Sequence, residues 1–246
     1  MLDAERIAAR LTTRRLGRSL DVRAETGSTN DDARAAEGVP DGHVILADAQ
    51  TAGRGSHGRR WSSPGGTDLY FSVVLRDGLR ASRLPPLTLA VGLGVARACD
   101  AVTEEHFTIK WPNDVRHGER KCAGILVESV SLGARVDRVV IGVGLDVNRE
   151  GFGELEEVAT SLRRVTGAPL DREAVFAETL ACVEEEIDRF IRVGPAAIVP
   201  RVQERLAWRG ESVACDGARG TLDGLREDGA LIIGGEPVVA GTLRRM

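Results

Sequence analysis

Four short stretches of this 246-residue chain concentrate side chains that handle anions and small polar molecules. The longest, AQTAGRGSHGRRWSSPGG at 49–66, holds five glycines and three arginines. Glycine lets backbone N–H groups approach an anion closely, and arginine supplies a forked donor for phosphate or carboxylate. No Gly-Lys-Ser/Thr closes the stretch, so it is not a Walker A loop. Three readings compete for it: a loop wrapping an anionic ligand, a solvated linker, and an RNA-binding arm whose sole aromatic is Trp61.

KWPND at 110–114 sets Asn113 beside Asp114 after a proline that disfavours helix at Trp111. An Asp–Asn pair is a hard-oxygen set suited to Mg²⁺, which binds one or two carboxylates plus phosphate oxygens. An Asx turn capping the strand is the competing reading. In RKCAGILVE, Lys121 stands at the start of a strand, with Ala123 and Gly124 leaving room for a ligand. Lys121 either neutralises an α-phosphate or is an ordinary strand-end lysine. GSTND at 27–31 is a helix N-cap or a set of hydroxyls and an amide for a polar ligand. The chain has 31 arginines and two lysines, Lys110 and Lys121, which lie within twelve positions of each other. A compact ammonium kept where planar guanidinium is the default cation points to a site that rejects the fork.

The elements that must position these residues are legible as patterns. Residues 2–15 read as an amphipathic helix, DVRAETG as a strand, and STNDDARAAEG as a short helix ending at Gly38. GHVILADA and TDLYFSVVLR are strands flanking the Gly/Arg stretch. Leu84–Val102 is a mostly apolar helix with Pro85 and Pro86 in its first turn. FTIKWPNDVRHGERKCAGILVESV and ARVDRVVIGVGLDVN are strands with hairpin tips at RHGER and SLGAR. Helices follow at 171–193 and 195 to about 208, the first with Phe176, Leu180, Val183, Ile187 and Phe190 on one stripe. The remaining residues form five short strands and read as a small SH3-like barrel. Net charge of −4 argues against wholesale nucleic-acid binding. Scattered cysteines argue against structural zinc or a disulfide framework. No apolar run of about 18 residues and no signal-peptide core are visible, so a cytoplasmic location without membrane attachment is expected.

Taken in order, GSTN, AQTAGRGSHGRRW, KWPND, KCAGILVE and GVGLDVN resemble the biotin–protein ligases over roughly residues 20–150. The resemblance implies an α+β fold: a mixed-sheet, class-II-synthetase-like catalytic domain with flanking helices at 1–207 and an SH3-like domain at 208–246. It implies activation of biotin with Mg·ATP to biotinyl-5′-AMP, then transfer to a lysine of a biotin carboxyl carrier domain. Ser28, Thr29 and Gln50 would hold the ureido ring with Asn30 beside them. Gly53, Arg54 and Gly55 would floor the loop, Arg54 near the biotin carboxylate and phosphates. Arg59 would hold the triphosphate, Trp61 would pack on the adenine side, and Asn148 would lie near the adenine. Lys121 would bind the biotin carboxylate and α-phosphate, and Gly124 would admit the biotin chain. Asn113 and Asp114 would sit by the phosphates and Mg²⁺, with Asp114 also the base of the transfer step.

The chain departs from that pattern at Ser56, where many relatives carry arginine, and at Asp146, where asparagine is common. About 25 residues precede GSTN, which implies a ligase without the winged helix-turn-helix of repressor members. A monomer or homodimer is expected. The alternatives are a lipoate or octanoate ligase or transferase of the same fold, and a non-catalytic biotin-binding regulator.

Overall fold

The computed structural model describes residues 2–76, 84–132 and 135–246. At its centre is a seven-stranded mixed sheet formed by β1 (Leu20–Thr26), β2 (His43–Gln50), β3 (Leu69–Leu75), β4 (Thr108–Lys110), β5 (Asp114–His117), β6 (Arg120–Leu132) and β7 (Arg135–Leu145). The strand order is β1-β2-β3-β7-β6-β5-β4. β1 runs parallel to β2 and the other pairings are antiparallel. β6 and β7 form a long hairpin, whose tip, expected at SLGAR, falls at 133–134 outside the described residues.

Helix α3 (Leu84–Thr103) and helix α5 (Arg172–Val193) pack against each other on one face. α3 is long and apolar enough to cross a membrane by length and composition, contrary to the expectation that no such run exists; 67 % of that stretch is buried in the protein. Gly94 sets the approach of the two helices, since a Cβ there would lie 2.7 Å from the Val183 Cα. The predicted α5 stripe of Phe176, Leu180, Val183, Ile187 and Phe190 is fully buried, with Phe176 edge-on to Phe71 of β3.

Two expected helices are shorter than their patterns. α1 spans Ala4–Arg10 rather than 2–15, because the Glu184 carboxylate accepts from the backbone N–H groups of Arg14, Arg15 and Leu16 at 2.7–2.8 Å and fixes that segment as a turn. Burial opposes charge on Glu184, yet these donors hold its carboxyl below the usual range. After Gly194 the chain makes a 3₁₀ turn at Pro195–Ala197 before α6 (Val199–Glu204), so the helix expected to reach about 208 is broken. The other helices are α2 (Thr29–Ala35) and α4 (Leu162–Thr166), the latter not foreseen.

The tail does contain five strands: β8 (Ser212–Cys215), β9 (Ala218–Leu225), β10 (Leu231–Ile233), β11 (Glu236–Val238) and β12 (Arg244–Arg245). They pair in the open order β11-β10-β9-β8-β12, and among the described residues no β11–β12 pairing closes a barrel. The Trp111 indole, 3 % exposed, donates to the Gly229 carbonyl at 2.9 Å and ties this sheet to the WPND turn. The Trp111–Pro112 bond is cis.

Candidate functional site

Three glycines make the floor of the site. Gly124 on β6 pairs with Gly144 on β7, and Gly142 pairs with Leu126. Alternation along a strand puts Gly142 and Gly144 on the same sheet face. A Cβ at Gly144 would lie 2.4 Å from the Trp61 Nε1, and one at Gly142 would lie 2.1 Å from the Asn30 Oδ1. One at Gly124 would lie 3.0 Å from both the Lys121 Nζ and the Trp61 ring. Side chains from α2, the Gly/Arg loop and β6 therefore lie flat on a strip of bare backbone.

The Gly/Arg loop is paired with itself rather than free. Arg54 and Arg60 form an antiparallel bridge, Gly55 N–H donates to the Arg59 carbonyl at 2.7 Å, and Trp61 N–H donates to the Gly53 carbonyl at 2.9 Å. Its tip is a 3₁₀ turn, Ser56–Gly58, in which His57 takes a left-handed φ of 57°. Gly53 is obligatory for packing: a Cβ would lie 2.6 Å from both the Ser63 Oγ and the Trp61 carbonyl. Arg59 is turned back onto Ser56, donating to its carbonyl at 3.2 Å and its hydroxyl at 2.9 Å.

Of the residues expected to hold the ligand, Ser28, Asn30, Gln50, Arg54, Gly55, Trp61, Asn113, Lys121 and Gly124 line one cleft, joined by Ser56. Ser28 occupies the N-cap position of α2, but its hydroxyl makes no capping bond, although it is 3 % exposed. Thr29 does not line the cleft. Its N–H and hydroxyl both donate to Gln50 Oε1, at 2.9 and 3.2 Å, and Gln50 donates on to Ser63 Oγ at 2.9 Å. Asn30 accepts from Ser72 Oγ at 2.6 Å and donates to Glu128 Oε2 at 2.8 Å. Asn148 is spent on the Leu170 backbone, donating to its carbonyl and accepting its N–H, each at 2.9 Å, and does not line the cleft.

Lys121 Nζ pairs with Asp114 Oδ1 at 2.5 Å and stands 5.0 Å from the Trp61 ring centroid. Asn113 donates to the Ile125 carbonyl at 2.9 Å, which fixes the turn before Asp114. The second lysine, Lys110, lies opposite Asp114 in the β4–β5 register and over the Trp208 ring. Burial holds its pKa below the usual lysine value, though Asp114 opposes that effect. No group of three or more His, Cys, Asp or Glu side chains that could cage a metal occurs among the described residues. One carboxylate and one amide, Asp114 and Asn113, fit an Mg²⁺ ion that arrives on a polyphosphate and keeps most of its oxygen ligands there.

Sequence reasoning missed Asp68, Tyr70 and Arg149 beneath the loop, though it singled out Asp146. Asp68 is fully buried and accepts from Arg149 Nε at 2.8 Å and from the Tyr70 hydroxyl at 2.9 Å. Arg149 donates to the Ser62 carbonyl at 2.9 Å, and the Tyr70 hydroxyl oxygen also lies 3.0 Å from the Pro64 carbonyl, so this cluster anchors the loop's return. Asp146 lies 3.4 Å from Arg149, and burial, reinforced by Asp68, pushes its pKa well above the usual value. Glu128 was missed as well, although the period-2 alternation from Gly124 places it on the same strand face.

A family model for the biotin/lipoate A/B protein ligase family matches residues 19–146, which carry the loop, both lysines and the glycine floor. The chain belongs to this family. It is similar to the biotin–[acetyl-CoA-carboxylase] ligase of Mycobacterium tuberculosis, with 39 % identity over 72 % of this chain and 67 % of that one. It is also 34 % identical to the bifunctional ligase/repressor BirA of Bacillus spizizenii, across 75 % of this chain and 58 % of that protein's length. The chain thus spans little more than half of that bifunctional relative. Among solved structures, the Aquifex aeolicus biotin protein ligase in complex with biotin and ATP superposes with a TM-score of 0.85 at 33 % identity, over 93 % of this chain and 100 % of that one.

The cleft lies over the β6–β7 glycines. The cleft there encloses about 40 Å³. Trp61 lies over Gly144 and Gly124 on this floor.

Proposed function

We propose that the chain is an ATP-dependent biotin–protein ligase. The observation that carries this reading is the convergence of Arg54 and Lys121 on one glycine-floored cleft closed by the loop that holds Arg54. Attack of a carboxylate oxygen on an α-phosphorus brings two anions together, so the site must neutralise charge and fix both partners. Arg54 meets the biotin carboxylate and phosphate, and Lys121 bridges the carboxylate and α-phosphate, exchanging Asp114 for the substrate's oxygens. Mg²⁺, when bound near Asn113 and Asp114, supplies further positive charge to the departing pyrophosphate.

In the second half-reaction a neutral lysine amine attacks the acyl carbon, AMP leaves, and Asp114, released from Lys121, takes the amine proton. Ser28 and Gln50 orient the ureido ring, while Thr29 acts through Gln50. Arg59 swings from Ser56 toward the triphosphate, and Trp61 covers the adenylate side. A closed loop excludes water, which would otherwise hydrolyse the mixed anhydride.

The acceptor we infer is a biotin carboxyl carrier domain, and the setting cytoplasmic. The proposed boundary lies near residue 207, with the C-terminal sheet acting as an SH3-like module joined to the WPND turn through Trp111; the enzyme core would be of the class-II-synthetase type. Pyrophosphate release that depends on biotin, compared with release in the presence of lipoate, tests the reading. Release with lipoate alone would instead favour the lipoate ligase.

A further inference from the structure

The Arg54 guanidinium does not wait in solvent. Its Nη1 donates to Glu128 Oε1 at 3.1 Å and its Nη2 to Glu128 Oε2 at 2.9 Å, so the carboxylate grips the fork with both oxygens. Asp31 adds a contact to Nη2 at 2.7 Å, but it is 57 % exposed, against 19 % for Glu128. Exposed pairs contribute little, and bidentate, shielded ones fix direction. Both guanidinium ends are thus occupied, while Arg54 Nε–H is buried without a partner in a residue that lines the cleft. An unpaired buried donor is costly to leave unmade. It is the position an incoming oxyanion satisfies.

We propose that Glu128 is a positioning residue that pre-orients Arg54 for the substrate anion and anchors the Gly/Arg loop to β6. The inference rests on the ligase reading and deepens it. Glu128 lies on the β6 face that also carries Gly124 and Leu126, so one strand carries both the floor and the anchor. Arg54 comes from the loop. The Glu128–Arg54 pair therefore links the Gly/Arg loop to the sheet. An arginine left unanchored would lose rotamer freedom only when ligand binds, which weakens binding. Arg34, 3.3 Å from Glu128 Oε1, adds a second cation to the same carboxylate. Asn30 also uses Glu128, but a glutamine there keeps an acceptor oxygen for Asn30 while losing the charged, two-oxygen grip on Arg54.

The test is a double-mutant cycle on the full chain, read by biotin-dependent pyrophosphate exchange and by hydrogen exchange of residues 53–61 without ligand. Glu128→Gln is expected to lower kcat/KM for biotin about tenfold and to speed amide exchange across the loop, with Tm within a few degrees of wild type. In an Arg54→Ala background the same change is expected to have less than a twofold further effect. Losses that multiply independently, or loop exchange unchanged by Glu128→Gln, would overturn the proposal. If wild type shows no exchange with biotin, the ligase reading fails on its own, and the loop-exchange arm still decides the anchor. Glu128→Asp, with its carboxylate one methylene short, replaces the glutamine variant if that protein does not fold, and is expected to give the same pattern at smaller amplitude.

Discussion

Lys121 Nζ lies 2.5 Å from Asp114 Oδ1, an ion pair whose oxygen has no well-directed hydrogen-bond donor. The pair closes the contact between β6 and the WPND turn, and a compact ammonium is required there. A guanidinium would have to fit where Lys121 already meets the Gly124 backbone position and the Trp61 ring. Lys121→Arg is therefore expected to lose at least 10²-fold in adenylate formation, in a protein with unchanged circular dichroism. Retention of activity would remove Lys121 from the first step.

The proposed base role of Asp114 distinguishes the second half-reaction from the first, in which it would sit by Mg²⁺. Asp114→Asn preserves the turn but cannot accept the acceptor lysine's proton, so transfer from preformed biotinyl-AMP is expected to slow by about 10²–10⁴-fold. Single-turnover transfer with purified intermediate measures this. Equal slowing of adenylation and transfer would place Asp114 in metal or phosphate binding alone.

At the loop tip, Arg59 is parked on Ser56 by two hydrogen bonds. Ser56→Arg removes that hydroxyl and adds a cation beside the cleft, so labelled biotinyl-AMP is expected to dissociate more slowly than from wild type. Identical release rates would show that position 56 has no part in retaining the intermediate.

The glycine floor makes a steric prediction. Gly144→Ala places a methyl 2.4 Å from Trp61 Nε1, which forces the indole off the sheet at a cost of about 1–3 kcal/mol. Reduced thermal stability together with weaker biotin binding by calorimetry is expected. An unaltered Tm and affinity would mean that Trp61 does not rest on the floor.

Asp146 provides a pH dependence. Its pKa is raised by burial and by Asp68, so the folded state binds its proton more tightly than the unfolded chain does. That contribution is full below the unfolded carboxylate value and is lost as pH rises through the folded pKa. Asp146→Asn, always neutral, should therefore gain Tm relative to wild type as pH increases from 4 to 8. A Tm difference that stays constant across that range would mean Asp146 is not shifted.

Much of this arrangement is written in local pattern. The strands flanking the loop, the α5 stripe and the β6–β7 hairpin follow from alternation and helical spacing, and nine cleft residues carry motif signatures. The rest depends on pairing across the fold. Nothing local says that Glu184 captures the turn after α1, or that Arg149 reaches Asp68 under the loop, because these contacts join residues far apart in the chain. The role of Gly142 required the β7 register and the position of Asn30 above it. Asn148 shows the reverse case: its motif suggests a ligand contact, but the neighbouring Leu170 backbone has taken its amide.

The most direct measurement combines the purified chain with biotin, Mg·ATP and a biotin carboxyl carrier domain, and records the intact mass of the carrier. The account predicts a single biotinyl addition to the carrier, dependent on ATP and lost in Lys121→Ala. An unmodified carrier, or one modified equally by Lys121→Ala, would contradict it.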